Sequence, residues 1–508
     1  MTSLTLTGHD LKLAEMRDLD RACPQVKLGD EARRAMQASV DTVREVIDTD
    51  QVCYGINTGF GALARQRISR DRLTQLQYNL VRSHACGVGE PLSAGIVRRV
   101  LLLKANSLAI GNSGIRPEVV ETLLALLNHD VLPVIPSQGS VGASGDLAPL
   151  AHMTLALIGE GEAHHQGKLL KGEAVLKAAG VKPVTLEAKE GLALLNGTQL
   201  SAALALRGFL GTERALAGSI VFGALTLEAL AGSYSPFDAR IHKVRNMHGQ
   251  MRVAESFRSL LTGSDIWESH QGCDRVQDPY ALRCMPQVYG AVWDTLKHVQ
   301  GVLERELNSV SDNPLIFGKD VLSGGNFHAE PLGLVSDFMA IAATELGNIA
   351  ERRIDLLLKK VNPRLPMFLA RDPGLESGFM IAHVTAAALA SENKTLAHPA
   401  SADTIPTSAG QEDHVSMAPW AGVKLGRILK NVDHILAVEA LASAEAIELQ
   451  RPAKTTKELE PVQAAIRRLA PAAQGDRRLD TGITALAAAI GDGSLLKDSV
   501  PALSNLSL

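Results

Sequence analysis

The sequence predicts a mainly α-helical fold, with a mixed N-terminal region followed by a long-helix bundle. Three observations carry this expectation. Beyond residue 200, apolar residues recur at helical spacing over unusually long stretches. Aromatic residues are only 4% of the 508, while the apolar fraction is 46% and rich in Ala and Leu, a balance suited to closely packed helices. Gly and Pro clusters around 55–61, 111–117, 133–145 and 190–197 break the first part into short elements. The chain is therefore divided into 1–200 and 201–508. Its length exceeds the usual size of one hydrophobic core, which favours two subregions or a large assembly.

Taken in order, the first ten residues lack a basic stretch followed by a long apolar core, so they are not read as a signal peptide. Tyr54 opens Tyr54-Gly-Ile-Asn-Thr-Gly-Phe-Gly61, whose three glycines predict a mobile loop with close backbone approach. In 131–136 two prolines disfavour a central strand, and no Gly-Lys-Ser/Thr follows the next glycines, so Rossmann and P-loop readings fail. Asp146 is a suitable N-cap for a helix over 147–158, with Pro149 in its first turn. Long helices are predicted over 199–231, 286–310, 331–361 and 420–450. Small residues Ala340, Ala342, Ala343, Gly347 and Ala350 allow close helix approach, and the tail after Pro452 reads as peripheral helix.

Composition excludes several classes. A formal charge of -4 gives no reason to expect nucleic acid or an anionic membrane as partner. Arg207, Glu213, Arg214 and Glu228 interrupt the apolar run 201–233, against a membrane span. Five cysteines, Cys23, Cys53, Cys86, Cys273 and Cys284, are sparse and unpaired in sequence, pointing to a reducing, cytoplasmic setting. His164-His165 is a poor chelating pair, and no carboxylate–His ligand spacing occurs, so no metal is expected.

The chemistry-bearing feature is Ala143-Ser144-Gly145 within Gly139-Ser140-Val141-Gly142-Ala143-Ser144-Gly145-Asp146. The Gly145 amide nitrogen is unhindered. If the turn presses it against the Ala143 carbonyl carbon, the backbone closes with loss of water. Loss of the Ser144 hydroxyl as a second water leaves an exocyclic methylene, an electrophile that no standard side chain supplies. The helix start beside it favours developing negative charge. Farther on, Asp278 and Pro279 open a helix that sets Tyr280 and Arg283 on one face. Arg283 offers a fork for a carboxylate, and its charge favours a Tyr280 phenolate able to act as a base.

These segments resemble the aromatic amino acid ammonia-lyase family. Gly142-Ala-Ser-Gly-Asp-Leu-Ala-Pro-Leu-Ala-His152 carries the likeness, with the Tyr54 loop, Asn196-Gly-Thr198, Gln277-Asp-Pro-Tyr-Ala-Leu-Arg283, Ser311-Asp-Asn-Pro314, Gly324-Gly-Asn-Phe327 and Gln411-Glu-Asp-His-Val-Ser416. The resemblance implies a 4-methylidene-imidazol-5-one built from Ala143-Ser144-Gly145, no external cofactor, and a homotetramer with shared active sites. It implies Tyr54 as a catalytic lid tyrosine from a neighbouring subunit, and Tyr280 as the base at the β-carbon. Arg283 is implied as carboxylate anchor, Asn196 beside the imidazolone oxygen, Gln277 as a polar contact and Phe327 as a pocket wall. His84 stands where phenylalanine-specific relatives are apolar, and Glu412 where Phe- and Tyr-specific relatives have a neutral amide. A carboxylate suits an imidazole and suffers desolvation beside a benzene ring. The expected substrate is therefore L-histidine, deaminated to trans-urocanate and ammonia in the first step of histidine degradation. The rival is a tyrosine lyase or an aminomutase using the same electrophile. Gly410 departs from the Asn of many histidine-specific relatives.

Overall fold

Helical periodicity becomes helix at all four long stretches in the computed structural model, which describes residues 3–22, 24–270, 275–472 and 474–497. The helices are Gln199–Ala229, Met285–Glu306, Glu330–Leu358 and Ala418–Glu448. Their ends shift by a few residues from the expected bounds. The first stops short of 231, where Ala231 adopts a left-handed φ of +48° that no α-helix accommodates. The structure is mainly α, and among the described residues the sheets are short and two- or three-stranded.

Two compact units form. The first comprises Met1–Arg207, Gly301–Asp337 and Pro399–Val423, and the second comprises Gly208–Gln300, Phe338–His398 and Lys424–Leu508. The expected division at 200 thus falls near the first crossing at 207, but two later segments return to the N-terminal unit. Those segments contain the Ser311-to-Phe327 and Thr404-to-Met417 loops, whose Gly, Pro and polar residues interrupt the helical periodicity.

In the first unit the Ala94–Ala109 helix is buried along nearly its whole length. The proline-containing stretch at 131–136 makes two short strands, Leu132–Pro133 and Pro136–Gln138, rather than one central strand. His164 and His165 lie on the neighbouring antiparallel strand, opposite Leu169 and Lys168. Consecutive strand residues face opposite ways, so the two imidazoles diverge.

In the second unit, small residues bring helices together. A Cβ added at Gly211 would fall 2.7 Å from Leu429 Cδ1, and one at Gly347 3.2 Å from Ile435 Cδ1. Between these helices lies a fully buried ion pair: Arg353 Nε and Nη2 donate to Glu439 at 2.5 and 2.8 Å. Thr226 Oγ1 also donates to Glu439, at 2.8 Å. The helix Glu330–Leu358 is long and apolar enough to cross a membrane by length and composition, yet 67% of its apolar window is buried inside the protein. Leu334, Phe338 and Ile341 form an exposed stripe along it, at 41%, 40% and 47% exposure. The tail after Pro452 folds into helices including Glu460–Leu469 and Asp480–Gly491.

Candidate active site

The Ala143-Ser144-Gly145 turn is pinched from both sides. Gly142 and Gly145 have φ of +64° and +70°, a region that costs glycine little. Their lack of side chains is also a matter of space. A Cβ at Gly142 would meet Ser416 Oγ at 2.2 Å, and one at Gly145 would meet Gly197 O at 2.2 Å. Ala143 and Gly145 pair across Ser144, and Gly145 pairs with Gly197. Ser416 Oγ donates to Gly142 O at 2.8 Å, and Asp146 N donates to Gly197 O at 2.8 Å.

Asp146 precedes the Leu147–Leu157 helix as expected, but its carboxylate does not cap that helix. It accepts instead from Ser201 N at 2.8 Å and Ser201 Oγ at 2.9 Å, capping the start of the Gln199–Ala229 helix, and from Ser140 Oγ at 3.1 Å. The reason is burial. Asp146 is wholly enclosed, and a backbone N–H on the adjoining helix faces it. Burial pushes its carboxyl up to about 6, against the opposing pull of the Ser201 and Ser140 hydrogen bonds.

Beside the turn opens a cavity of about 880 Å³, lined in the first unit by residues that include Tyr54, His84, Ser144, Asn196, Phe327 and Glu412. Each arrives from a different local structure. His84 ends the Leu73–His84 helix, with Nδ1 3.0 Å from Ser83 Oγ. Burial pushes its imidazole below the usual value, while the Leu80 carbonyl and the Glu412 carboxylate pull it back. Asn196 follows the Glu190–Leu195 helix, and its Nδ2 donates to Ser144 O at 2.6 Å. Its Oδ1 is buried and accepts no hydrogen bond among the described residues. Tyr54 lies in a loop that closes on itself, its hydroxyl accepting from Gly61 N at 3.3 Å. The resemblance placed this tyrosine on a neighbouring subunit; here it lines the same chain's cavity as Ser144.

Glu412 is set by a left-handed turn. Ser408, Ala409 and Gly410 have φ of +51°, +54° and +82°, and Thr407 and Glu412 pair through backbone bonds of 3.0 and 3.3 Å. Two of these are non-glycine residues in a strained region, of the kind that concentrates at functional sites. Thr407 Oγ1 holds Glu412 Oε2 at 2.6 Å, and Ser144 Oγ donates to Oε1 at 2.5 Å.

Gln277, Tyr280 and Arg283 belong to the second unit and are not among the residues that line this cavity. Tyr280 and Arg283 share the short Tyr280–Arg283 helix as predicted, but Pro279, not Asp278, occupies its N-cap. Asp278 is buried, accepting from Ser233 N at 2.6 Å and pairing with Arg275 Nε at 3.0 Å. The Arg283 guanidinium lies 4.7 Å from the centroid of the Tyr280 ring, over its face rather than its hydroxyl. Tyr280 is 71% exposed.

Two supporting residues were missed by sequence reasoning. Thr407 orients Glu412. Fully buried Lys104 donates from Nζ to Asn196 O at 2.7 Å. Burial pushes Lys104 down to about 7, opposed by Asp312, reinforced by Lys189 and opposed again by Asp146. A lysine inside the otherwise apolar run 100–105 was the available signal.

A cavity that gathers His84, Asn196 and Glu412 around the Ser144 turn agrees with the class of protein that the family match defines, a carbon–nitrogen lyase. The aromatic amino acid lyase model matches residues 11–468, and the chain belongs to that family. It is similar to histidine ammonia-lyase of Rhodospirillum rubrum, at 52% identity over 494 residues and 96% of each chain. It is similar also to that of Idiomarina loihiensis, at 51% over 498 residues, covering 97% and 98%. Among solved structures, histidine ammonia-lyase of Trypanosoma cruzi superposes with a TM-score of 0.91 at 40% identity, covering 100% of this chain and 98% of that one. Tyrosine aminomutase of Streptomyces globisporus superposes with a TM-score of 0.92 at 35% identity, covering 99% and 98%.

Proposed function

We propose that this protein eliminates ammonia from L-histidine to give trans-urocanate, through a 4-methylidene-imidazol-5-one formed autocatalytically from Ala143-Ser144-Gly145. The carrying observation is the Ser144–Glu412 contact at 2.5 Å. It sets the residue that becomes the electrophile beside the carboxylate suited to an imidazole. The relatives at 51–52% identity bear the name histidine ammonia-lyase, so the tyrosine-lyase and aminomutase reading is not favoured. Fold does not separate these activities, since the aminomutase superposes equally well.

The residues present fit the group. Gly145 N adds to the Ala143 carbonyl carbon and that oxygen leaves as water; Ser144 then gives up its Cα proton and hydroxyl as a second water. Only glycine leaves room at 142 and 145 for this approach. Asn196 Nδ2 already donates to the Ser144 carbonyl oxygen, which remains as the ring oxygen. When present, the group supplies a methylene that takes up the substrate amine and improves it as a leaving group.

The chain's own residues do the rest. Asn196 stabilises charge that builds on the Ser144 oxygen, within a buried site where one donor counts for much. Glu412, held by Thr407, pairs with the substrate imidazole. Burial holds the His84 imidazole below its ordinary value, which disfavours a positive charge there that would oppose the substrate ring. Phe327 walls the ring end, and Tyr54 handles protons of the departing amine. Tyr280 takes the β-proton, Arg283 grips the carboxylate and Gln277 adds a polar contact, all three supplied by a neighbouring copy in a homotetramer. Tyr280's exposure and the Leu334–Phe338–Ile341 stripe support such an assembly. The cytoplasm is the proposed compartment, supported by free thiols at Cys53, Cys86 and Cys284; Cys23 and Cys273 lie outside the described residues.

The test is urocanate absorbance with L-histidine, with tyrosine and phenylalanine as competitors. Turnover of tyrosine alone, or a β-amino acid product, rejects the assignment.

A further inference from the structure

We propose that His328, Glu330 and His414 form a binding site for one divalent transition-metal ion of the Zn²⁺ or Co²⁺ kind, in the wall of the active-site cavity. One ligand atom from each side chain lies within 4.8 Å of the others. His328 and His414 are 86 residues apart in sequence and both line the cavity, so local spacing announced only the His328–Glu330 pair and not the group.

The donor set selects the metal. Two imidazoles and one carboxylate suit borderline first-row ions, whereas Mg²⁺ and Ca²⁺ favour oxygen alone. His328 is already oriented as a ligand. Its Nε2 lies 3.1 Å from the His414 carbonyl oxygen, and with the ring N–H there the lone pair is left on Nδ1. A backbone carbonyl in that role fixes tautomer and ring direction in metal sites. The two rings stack at 5.6 Å and 5°. Glu330 supplies a second, independent observation: its Oε2 is buried and has no hydrogen-bond partner among the described residues. A buried carboxylate oxygen without a donor is costly, and a cation removes that cost.

Tetrahedral Zn²⁺ with bonds of about 2.0–2.1 Å needs donor atoms roughly 3.3 Å apart. From a separation of up to 4.8 Å, the donors have to close in by about 1.5 Å at most, with water in the fourth position. The backbone placement gives the ion its effect. His328 follows Phe327, Glu330 begins the Glu330–Leu358 helix, and His414 lies two residues beyond Glu412. An ion there ties the strained Glu412 segment to the segment carrying Phe327, without touching the electrophile.

The experiment uses the full-length enzyme, stripped with EDTA and titrated with Co²⁺. Visible d–d absorption and metal content are read alongside circular dichroism of the metal-free protein. The expected result is one Co²⁺ per chain with a low-coordinate spectrum, displaced by Zn²⁺ and not by Ca²⁺. His328→Gln, Glu330→Gln and His414→Ala, each tested separately so that an unfolded variant leaves the others, should weaken binding by at least about tenfold. His165→Ala should bind as the parent does. An aquo-ion spectrum at one equivalent, undiminished binding by the folded variants, or loss of binding in His165→Ala overturns the proposal.

Discussion

Asn196→Ala tests how much of the reaction rests on one donor. The substitution removes the 2.6 Å bond from Nδ2 to the Ser144 carbonyl oxygen and little else. The backbone of residue 196 stays anchored, because its N–H donates to Leu192 O at 2.8 Å and its carbonyl accepts from Lys104 at 2.7 Å. The stability loss should therefore be about 1 kcal/mol, the net value of a hydrogen bond. The rate loss should be larger, since the donor is only 3% exposed and faces an oxygen that gains charge in the proposed reaction. Loss of one preorganised donor at such a position costs about 10²–10³ in kcat, or ~2.7–4 kcal/mol. Urocanate formation at saturating histidine gives kcat, and the dependence on histidine gives KM, which should move only a few-fold. Mass spectrometry of the peptide containing Ser144 must accompany the kinetics. A variant that has lost both waters yet retains kcat within about tenfold of the parent would refute the role of Asn196.

Ser144→Ala should fold normally and lose nearly all turnover, because the methylene carbon has no other source; comparable activity in the urocanate assay contradicts the mechanism. Glu412→Gln should lose histidine turnover by about 10² or more while keeping the two-water mass deficit, and unchanged kinetics would remove the specificity argument. Asp146 gives a pH signature. Its folded value is raised from 3.8 to about 6, so its contribution is fully present below 3.8 and is lost as pH rises through 6. That span is worth ~3 kcal/mol. Denaturant titrations of the parent and Asp146→Asn at pH 4 and pH 7 should show the parent losing stability relative to the variant by about 2 kcal/mol, the part of that span between the two pH values. Parallel pH dependence in the two proteins would be inconsistent with a buried, elevated carboxyl.

Much of the fold was legible because long helices advertise themselves through period and length. The bounds of Glu330–Leu358 and Ala418–Glu448 differ from expectation by no more than a few residues. The Ala143-Ser144-Gly145 turn was legible for a different reason: its chemistry is local, carried by adjacent atoms. What escaped was tertiary. Asp146 looked like the cap of its own helix, and only the packed structure reveals Ser201 N as the better partner. Tyr280 and Arg283 do share a face, but periodicity says nothing about which cavity that face meets. The His328, Glu330 and His414 grouping depends on two distant loops meeting, which no spacing rule encodes.

The left-handed bend from Thr407 to Glu412 has a consequence for how such an enzyme diversifies. It is closed by its own backbone hydrogen bonds and carries the carboxylate proposed to discriminate substrates, whereas the proposed electrophile comes from a separate stretch of backbone that meets it through the Ser144 hydroxyl. On the proposed mechanism, selectivity and reactive power are thus written on different cassettes. Libraries confined to this bend offer a route to new amino acid preferences while the sequence of the Ala143-Ser144-Gly145 turn stays untouched.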